Sequence, residues 1–100
     1  MGRKRKRATA PEPDAEINLR GTRLEEAMRL LTTFLQEART RGDSRVRIIH
    51  GKGIQSPDGI SVVRRGVARH LEQAHRRGEV RDYRLGNPGE GGAGVTIVWL

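Results

Sequence analysis

One hundred residues allow one domain with a single modest core, and hydrophobic residues at 34% with only three aromatics make that core aliphatic. The absence of cysteine excludes disulfides and thiolate metal sites, and no run approaches the roughly 20 apolar residues that cross a bilayer, so no membrane partner is expected. The formal charge of +8 points to a polyanionic partner, although Arg3, Lys4, Arg5, Lys6 and Arg7 leave only +3 for the rest of the chain.

Residues 1–16 combine that charge block with Pro11 and Pro13 and lack hydrophobic periodicity. They read as a disordered basic arm, suited to non-specific contact with nucleic acid through counterion release. No apolar stretch of signal-peptide length follows the basic run, so a cytosolic protein is the default expectation.

The folded region is expected over residues 17–100. Ile17-Asn18-Leu19-Arg20 alternates as a short strand, and Gly21 breaks it. Thr22-Arg23-Leu24-Glu25 fits a capping box, and Leu24, Ala27, Met28, Leu31, Leu35 and Ala38 form one apolar helical stripe that Gly42 should stop. A second strand covers Arg45–Ile49. Ser56-Pro57-Asp58-Gly59 is a turn signature. A second helix follows, with Val62, Val63, Val67, Leu71 and Ala74 on its buried side, Gly66 weakening its middle and Gly78 ending it. Val80–Leu85 reads as a third strand, Asn87–Gly94 as a flexible glycine loop, and Val95–Leu100 as a central fourth strand. The order βαβαββ predicts a two-layer α/β sandwich, with two helices on a four-stranded mixed sheet. The first two strands should be parallel, joined by a right-handed crossover.

His50-Gly51-Lys52-Gly53, directly after the second strand, carries the densest chemistry. Glycines let backbone approach a ligand, lysine adds a cation, and histidine titrates nearest neutrality. Arg20 and His50 each end one of the two parallel strands, so both fall at the carboxyl edge of the sheet, where ligands of open α/β sheets bind. The first helix points its amino end at the same edge, which favours an anion. One phosphate site is therefore expected there. Asn18 shares a face with Arg20 by period two and can position a water or bond a ribose. Arg20 is a phosphate clamp through its planar donor fork. Lys52 suits binding better than chemistry. His70 and His75 lack partners at metal spacing, and Tyr83 and Trp99 read as packing residues. No metal cluster is visible.

At this point the chain resembles the small MutS-related (Smr) domain, in its stand-alone bacterial form. The resemblance rests on Ile17–Gly21 at the place of the family's Leu-Asp-x-His-Gly, on Leu24-Glu25-Glu26-Ala27, on Arg47–Gly53 with its HGxG, and on Gly91-Gly92-Ala93-Gly94-Val95-Thr96. It implies a fold like the C-terminal domain of translation initiation factor three, and nucleic-acid binding with DNA-nicking or RNA-cleaving endonuclease activity. Carried over, the motif positions are His50, Gly51 and Gly53, with Gly91, Gly92 and Gly94 in the last loop. Asn18 and Arg20 stand where the family usually has Asp and His. Three readings follow. In an endonuclease, Arg20 and Lys52 hold the phosphate while His50 acts as general acid, with a divalent metal as an open question. In a binding module the altered first motif has removed the chemistry. In an adaptor the domain docks on ribosomes or repair proteins. Glu90, in the glycine loop, could approach the site, although a solvated turn residue is the plainer expectation.

Overall fold

Alternation and helical periodicity place four strands and two helices in the computed structural model, which describes residues 12–53 and 61–100. They are β1 (Ala15–Asn18), α1 (Leu24–Arg41), β2 (Arg45–Ile49), α2 (Val62–Arg76), β3 (Asp82–Leu85) and β4 (Val95–Trp99). The basic run Arg3–Arg7 and the Ser56–Gly59 turn lie outside the described residues.

β1 begins two residues before the expected strand, inside the segment that composition assigns to the arm. Its start is anchored by Asp14, whose carboxylate accepts from the Ser44 amide at 2.8 Å, the Ser44 hydroxyl at 3.2 Å and the Arg45 amide at 3.1 Å. Those bonds hold the Asp14 carboxyl below its ordinary range. Charge and proline content describe solubility and say little about one edge strand that pairs through its backbone.

The expected capping box does not form. Thr22 instead donates its hydroxyl to the Leu19 carbonyl at 2.6 Å, closing the turn, and α1 starts after Arg23 with no side-chain cap. Glu25 and Glu26 in the first turn supply the negative charge that the helix dipole favours. α1 buries Ala27, Leu31, Leu35 and Ala38, and ends at Gly42, whose φ of 82° turns the chain out of the helix. α2 is capped by Ser61, whose Oγ accepts from the Arg64 amide at 2.8 Å, and it buries Val63, Val67, Leu71 and Ala74. Val62, expected inside, is 59% exposed, because it precedes the buried phase by one residue. A Cβ on Gly66 would come 2.6 Å from Leu24 Cδ1 and 3.2 Å from Met28 Cε, so the glycine marks where the two helices meet.

The sheet order is β1-β2-β4-β3, with β1 and β2 parallel and the other pairs antiparallel. β2 and β4 are central, as the apolar content of β4 predicts. Val46, Ile48 and Val98 face the helices with no exposure, and Leu19 and Val80 complete that core. Both helices lie on one side. The opposite side carries Glu16 and Asn18 from β1, Arg45, Arg47 and Ile49 from β2, Arg84 from β3, and Val95, Ile97 and Trp99 from β4.

The glycine loop is folded rather than loose. Pro88–Glu90 and Gly92–Gly94 form two 3₁₀ turns, and Asn87 and Glu90 cap the first reciprocally, the arrangement expected at Thr22.

Candidate functional site

An open cleft of about 570 Å³ lies on the helix-free face, at the carboxyl ends of β1 and β2. β1 ends at Asn18, two residues short of the expected strand end, so the turn after it delivers Arg20. β2 delivers Arg47 and Ile49, and the following turn delivers Gly51 and Lys52. Gly89, Glu90, Gly91, Gly94 and Val95 form the facing wall. The strand ends thus bring Arg20 and the HGKG turn together although thirty residues separate them. The turn needs its glycine: Gly51 has a φ of 85°, and a Cβ there would stand 3.5 Å from Arg20 Cγ. Asn18 Oδ1 accepts the Arg20 amide at 3.0 Å, so Asn18 shapes the strand end while standing off the cleft wall.

Among the described residues, neither the Arg20 guanidinium nor the Lys52 ammonium has a hydrogen-bond or ion-pair partner. Arg47, which the sequence reading did not single out, also lines the cleft. It pairs with the Glu16 carboxylate and donates to the Glu90 carbonyl at 3.3 Å. Its signal was available, since alternation along β2 puts Arg47 in phase with Ile49 and Gly51.

His50 stands elsewhere. It is in phase with Val46 and Ile48, faces the helices and is only 3% exposed. Its Nδ1 lies 2.9 Å from the Gly51 carbonyl, which can only accept, so that nitrogen carries the proton. Nε2 lies 2.8 Å from the Thr96 hydroxyl and accepts from it. Burial pushes the imidazole below its ordinary pKa, with the Gly51 carbonyl opposing and the nearby Arg64 charge reinforcing. The ring is neutral near pH 7, with both nitrogens engaged inside the protein. Sequence spacing alone places His50 at the strand end; the phase of the strand decides which side of the sheet it enters.

The HGKG turn and the glycine loop form one unit, because the Gly94 carbonyl accepts from both the His50 amide at 3.0 Å and the Gly51 amide at 2.9 Å. Gly53 follows with a φ of 81°, and Gly92 donates to the Asn87 carbonyl at 2.9 Å; neither lines the cleft.

Glu90 is 7% exposed, not a solvated turn residue. Its carboxylate takes both prongs of the Arg84 guanidinium at 2.7 and 3.0 Å, and the Asn87 amide at 2.8 Å. Arg84 foremost, then the Asn87 amide, holds its pKa at about 2. A clamped carboxylate of this kind is a poor proton donor near neutrality. Among the described residues, no three His, Asp or Glu side chains gather in metal-holding geometry.

The remaining candidates take structural positions. His75 donates from Nδ1 to the Val80 carbonyl at 3.0 Å and meets Tyr83 edge-on at 6.1 Å. Trp99 lies beneath the Arg84 guanidinium, 5.3 Å from its carbon. His70 lines a second, mostly apolar cavity of about 400 Å³ between α1 and α2, remote in kind from the charged cleft. No described helix is long and apolar enough to cross a membrane.

The Smr domain family model matches residues 17–100. The chain is 45% identical over 85 residues to a protein named Endonuclease MutS2 from Geobacillus kaustophilus, covering 85% of this chain and 10% of that protein. It is 42% identical over 91 residues to Endonuclease MutS2 from Symbiobacterium thermophilum, again 10% of its length. The chain therefore spans about a tenth of these relatives. Two crystal structures share the fold. One is the Smr domain of Thermus thermophilus MutS2, with a TM-score of 0.71, 36% identity, and coverage of 86% of this chain and 96% of that one. The other is YdaL, a stand-alone small MutS-related protein from Escherichia coli, with a TM-score of 0.75, 34% identity, and coverage of 85% and 63%.

Proposed function

The chain belongs to the Smr family, and from that premise we propose that it binds the phosphodiester backbone of nucleic acid in the cleft between Arg20 and Lys52. The observation that carries this reading is a pair of cations, without partners among the described residues, that line one cleft beside glycine backbone. Arg20 offers a planar donor fork that matches two phosphate oxygens, and Lys52 adds a compact charge. Gly51 and Gly94, lacking side chains, let the Arg20 and Lys52 stems pack close against the main chain at the cleft wall. No aromatic side chain lines the cleft, so phosphate and sugar dominate recognition and sequence matters little. Arg3–Arg7 add non-specific affinity for DNA or RNA.

Fluorescence anisotropy against salt, with labelled single-stranded and duplex oligonucleotides, tests this. Arg20→Ala and Lys52→Ala should each weaken binding by roughly tenfold, and each should shallow the duplex salt slope by about 0.9. Unchanged affinity in the double variant would sink the reading.

A second reading, phosphodiester cleavage, is favoured by the 45% identity to part of a protein named as an endonuclease. In it a water attacks phosphorus, releasing its proton to solvent as the P–O bond to the leaving oxygen breaks. Arg20 and Lys52 stabilise the charge on the non-bridging oxygens, and Asn18, beside the cleft, would have to reach in to orient that water. His50 would have to give up an internal hydrogen bond and reach from the helix side of the sheet into the cleft before protonating a leaving oxygen. Nicking of supercoiled plasmid and scission of labelled RNA, with and without magnesium or manganese, decide it beside His50→Ala. Cutting by wild type that is lost in a folded variant supports cleavage; binding without cutting leaves the phosphate-binding reading alone.

A further inference from the structure

A carboxylate on the wall of an anion cleft opposes the ligand, so Glu90 beside Arg20 and Lys52 calls for an explanation. Its contacts supply one. Both carboxylate oxygens are taken from the β3 side by Arg84, and Oε1 also takes the Asn87 amide. Arg84 is itself fixed, lying over the Trp99 ring at 5.3 Å and donating to the Leu85 carbonyl at 3.0 Å. On the main chain, the Glu90 carbonyl accepts from Arg47 at 3.3 Å and the Glu90 amide donates to the Asn87 carbonyl at 2.8 Å. The far end of the same loop is tied by the Gly94 carbonyl to the HGKG turn. Between these ties, Gly91 adopts a φ of 115° where a Cβ would stand 2.8 Å from Val95 Cγ1, so the chain runs flat against the sheet.

We propose that the Glu90–Arg84 pair is the positioning device of the phosphate cleft, pinning the glycine loop as its wall despite placing a negative charge beside the ligand. This rests on the phosphate-binding reading. Glu90 and Arg84 act through the loop and need not touch the ligand. Because Arg84 and the Asn87 amide hold the Glu90 carboxyl near 2, the clamp stays charged throughout the ordinary pH range.

The sign of one measurement separates positioning from charge. By Coulomb's law alone, Glu90→Gln removes repulsion and should tighten binding of a labelled single-stranded oligonucleotide at fixed ionic strength. Positioning predicts the reverse: roughly tenfold weaker binding, about 1.4 kcal/mol by conversion. Arg84→Lys keeps the charge but loses the two-pronged geometry, so it should weaken binding about threefold. It also carries the test if Glu90→Gln fails to fold. Amide hydrogen exchange should quicken over residues 87–94 and stay unchanged in α1 and α2.

Equal or tighter binding by Glu90→Gln, or by Arg84→Lys where only that variant folds, would overturn the proposal. So would exchange raised uniformly across the domain, which marks general destabilisation. Failure of the underlying reading has another signature: Arg20→Ala would bind as wild type does, whatever Glu90→Gln did, and the assignment would fall with it.

Discussion

The two faces of the sheet treat polar residues in opposite ways, and β2 with its turn shows both within a few residues. Val46, Ile48 and His50 enter the helix-covered side, where the imidazole is sealed between the Gly51 carbonyl and the Thr96 hydroxyl. Arg47, Ile49 and Gly51 enter the cleft side, where charges remain within reach of a ligand. A period of two decides between them. The histidine of the motif is thus packed into the fold, while its neighbours Arg47 and Gly51 line the cleft. Variants on the helix side should therefore change stability first, and variants on the cleft side should change binding first.

His50→Ala gives the largest stability effect. It empties a buried ring position and strands the Thr96 hydroxyl, so about 2–4 kcal/mol should be lost. In a domain of this size that lowers the melting temperature by about 8–32 °C, on a scale of about 4–8 °C per kcal/mol. Calorimetry checks it, and a loss under about 1 kcal/mol would show that the ring is not a core element. Any activity loss in this variant must be read below its melting temperature.

Thr96→Val isolates one half of the same contact. Shape is nearly conserved while Nε2 loses its donor, so a cost of about 1–3 kcal/mol is expected from the unpaired buried nitrogen. Oligonucleotide affinity should stay within a few-fold of wild type, because the change lies on the helix side. Strongly reduced affinity with an unchanged melting temperature would reverse the division between the faces.

Acid should act on the histidines before the carboxylates. Burial is the main cause lowering the pKa of both His50 and His70, so folding favours their neutral forms. The unfolded chain takes up those protons near pH 6.5. Stability is therefore full above that value and falls as the pH drops toward the folded values, by at most about 1.4 kcal/mol per pH unit for each group. Asp14, Glu79 and Glu90 are shifted downward, so what they contribute is lost only at lower pH, below the unfolded carboxylate range. Melting temperature between pH 7 and pH 5 reads the histidines. His70→Gln should remove part of the slope, leaving the share of His50. A flat profile in wild type would contradict the burial of His50 and the partial burial of His70.

Much of this was legible in the sequence because it depends on local pattern. The helix stripe from Ala27 to Ala38, the stop at Gly42, the parallel β1–β2 pair and the central β4 follow from periodicity and glycine chemistry. The convergence of Arg20 with Lys52 follows from strand direction. What was not legible depends on partners distant in sequence. Asp14 starts β1 by bonding residues thirty positions on. Glu90 is buried only because Arg84 reaches it from the neighbouring strand. Thr22 falls one residue before the N-cap position of α1 and bonds the Leu19 carbonyl instead. The side taken by His50 is legible in its phase with Val46 and Ile48, which outweighs its place at the strand end.

The smallest stability effect belongs to the cleft face and tests the division from its other side. Glu16 pairs with Arg47 at a half-exposed site, where water screens the charges and such pairs contribute about 0–1 kcal/mol. Glu16→Gln should therefore barely move the melting temperature. It releases the Arg47 guanidinium from its carboxylate, and Arg47 already lines the cleft. Oligonucleotide affinity should rise by a few-fold and the salt dependence should steepen, as one more cation becomes available to phosphate. On the helix side the same kind of change, loss of one polar partner, costs stability and leaves binding alone. If Glu16→Gln instead unfolds the domain, the outer face is as much a part of the core as the inner one, and Arg47 serves the sheet rather than the ligand.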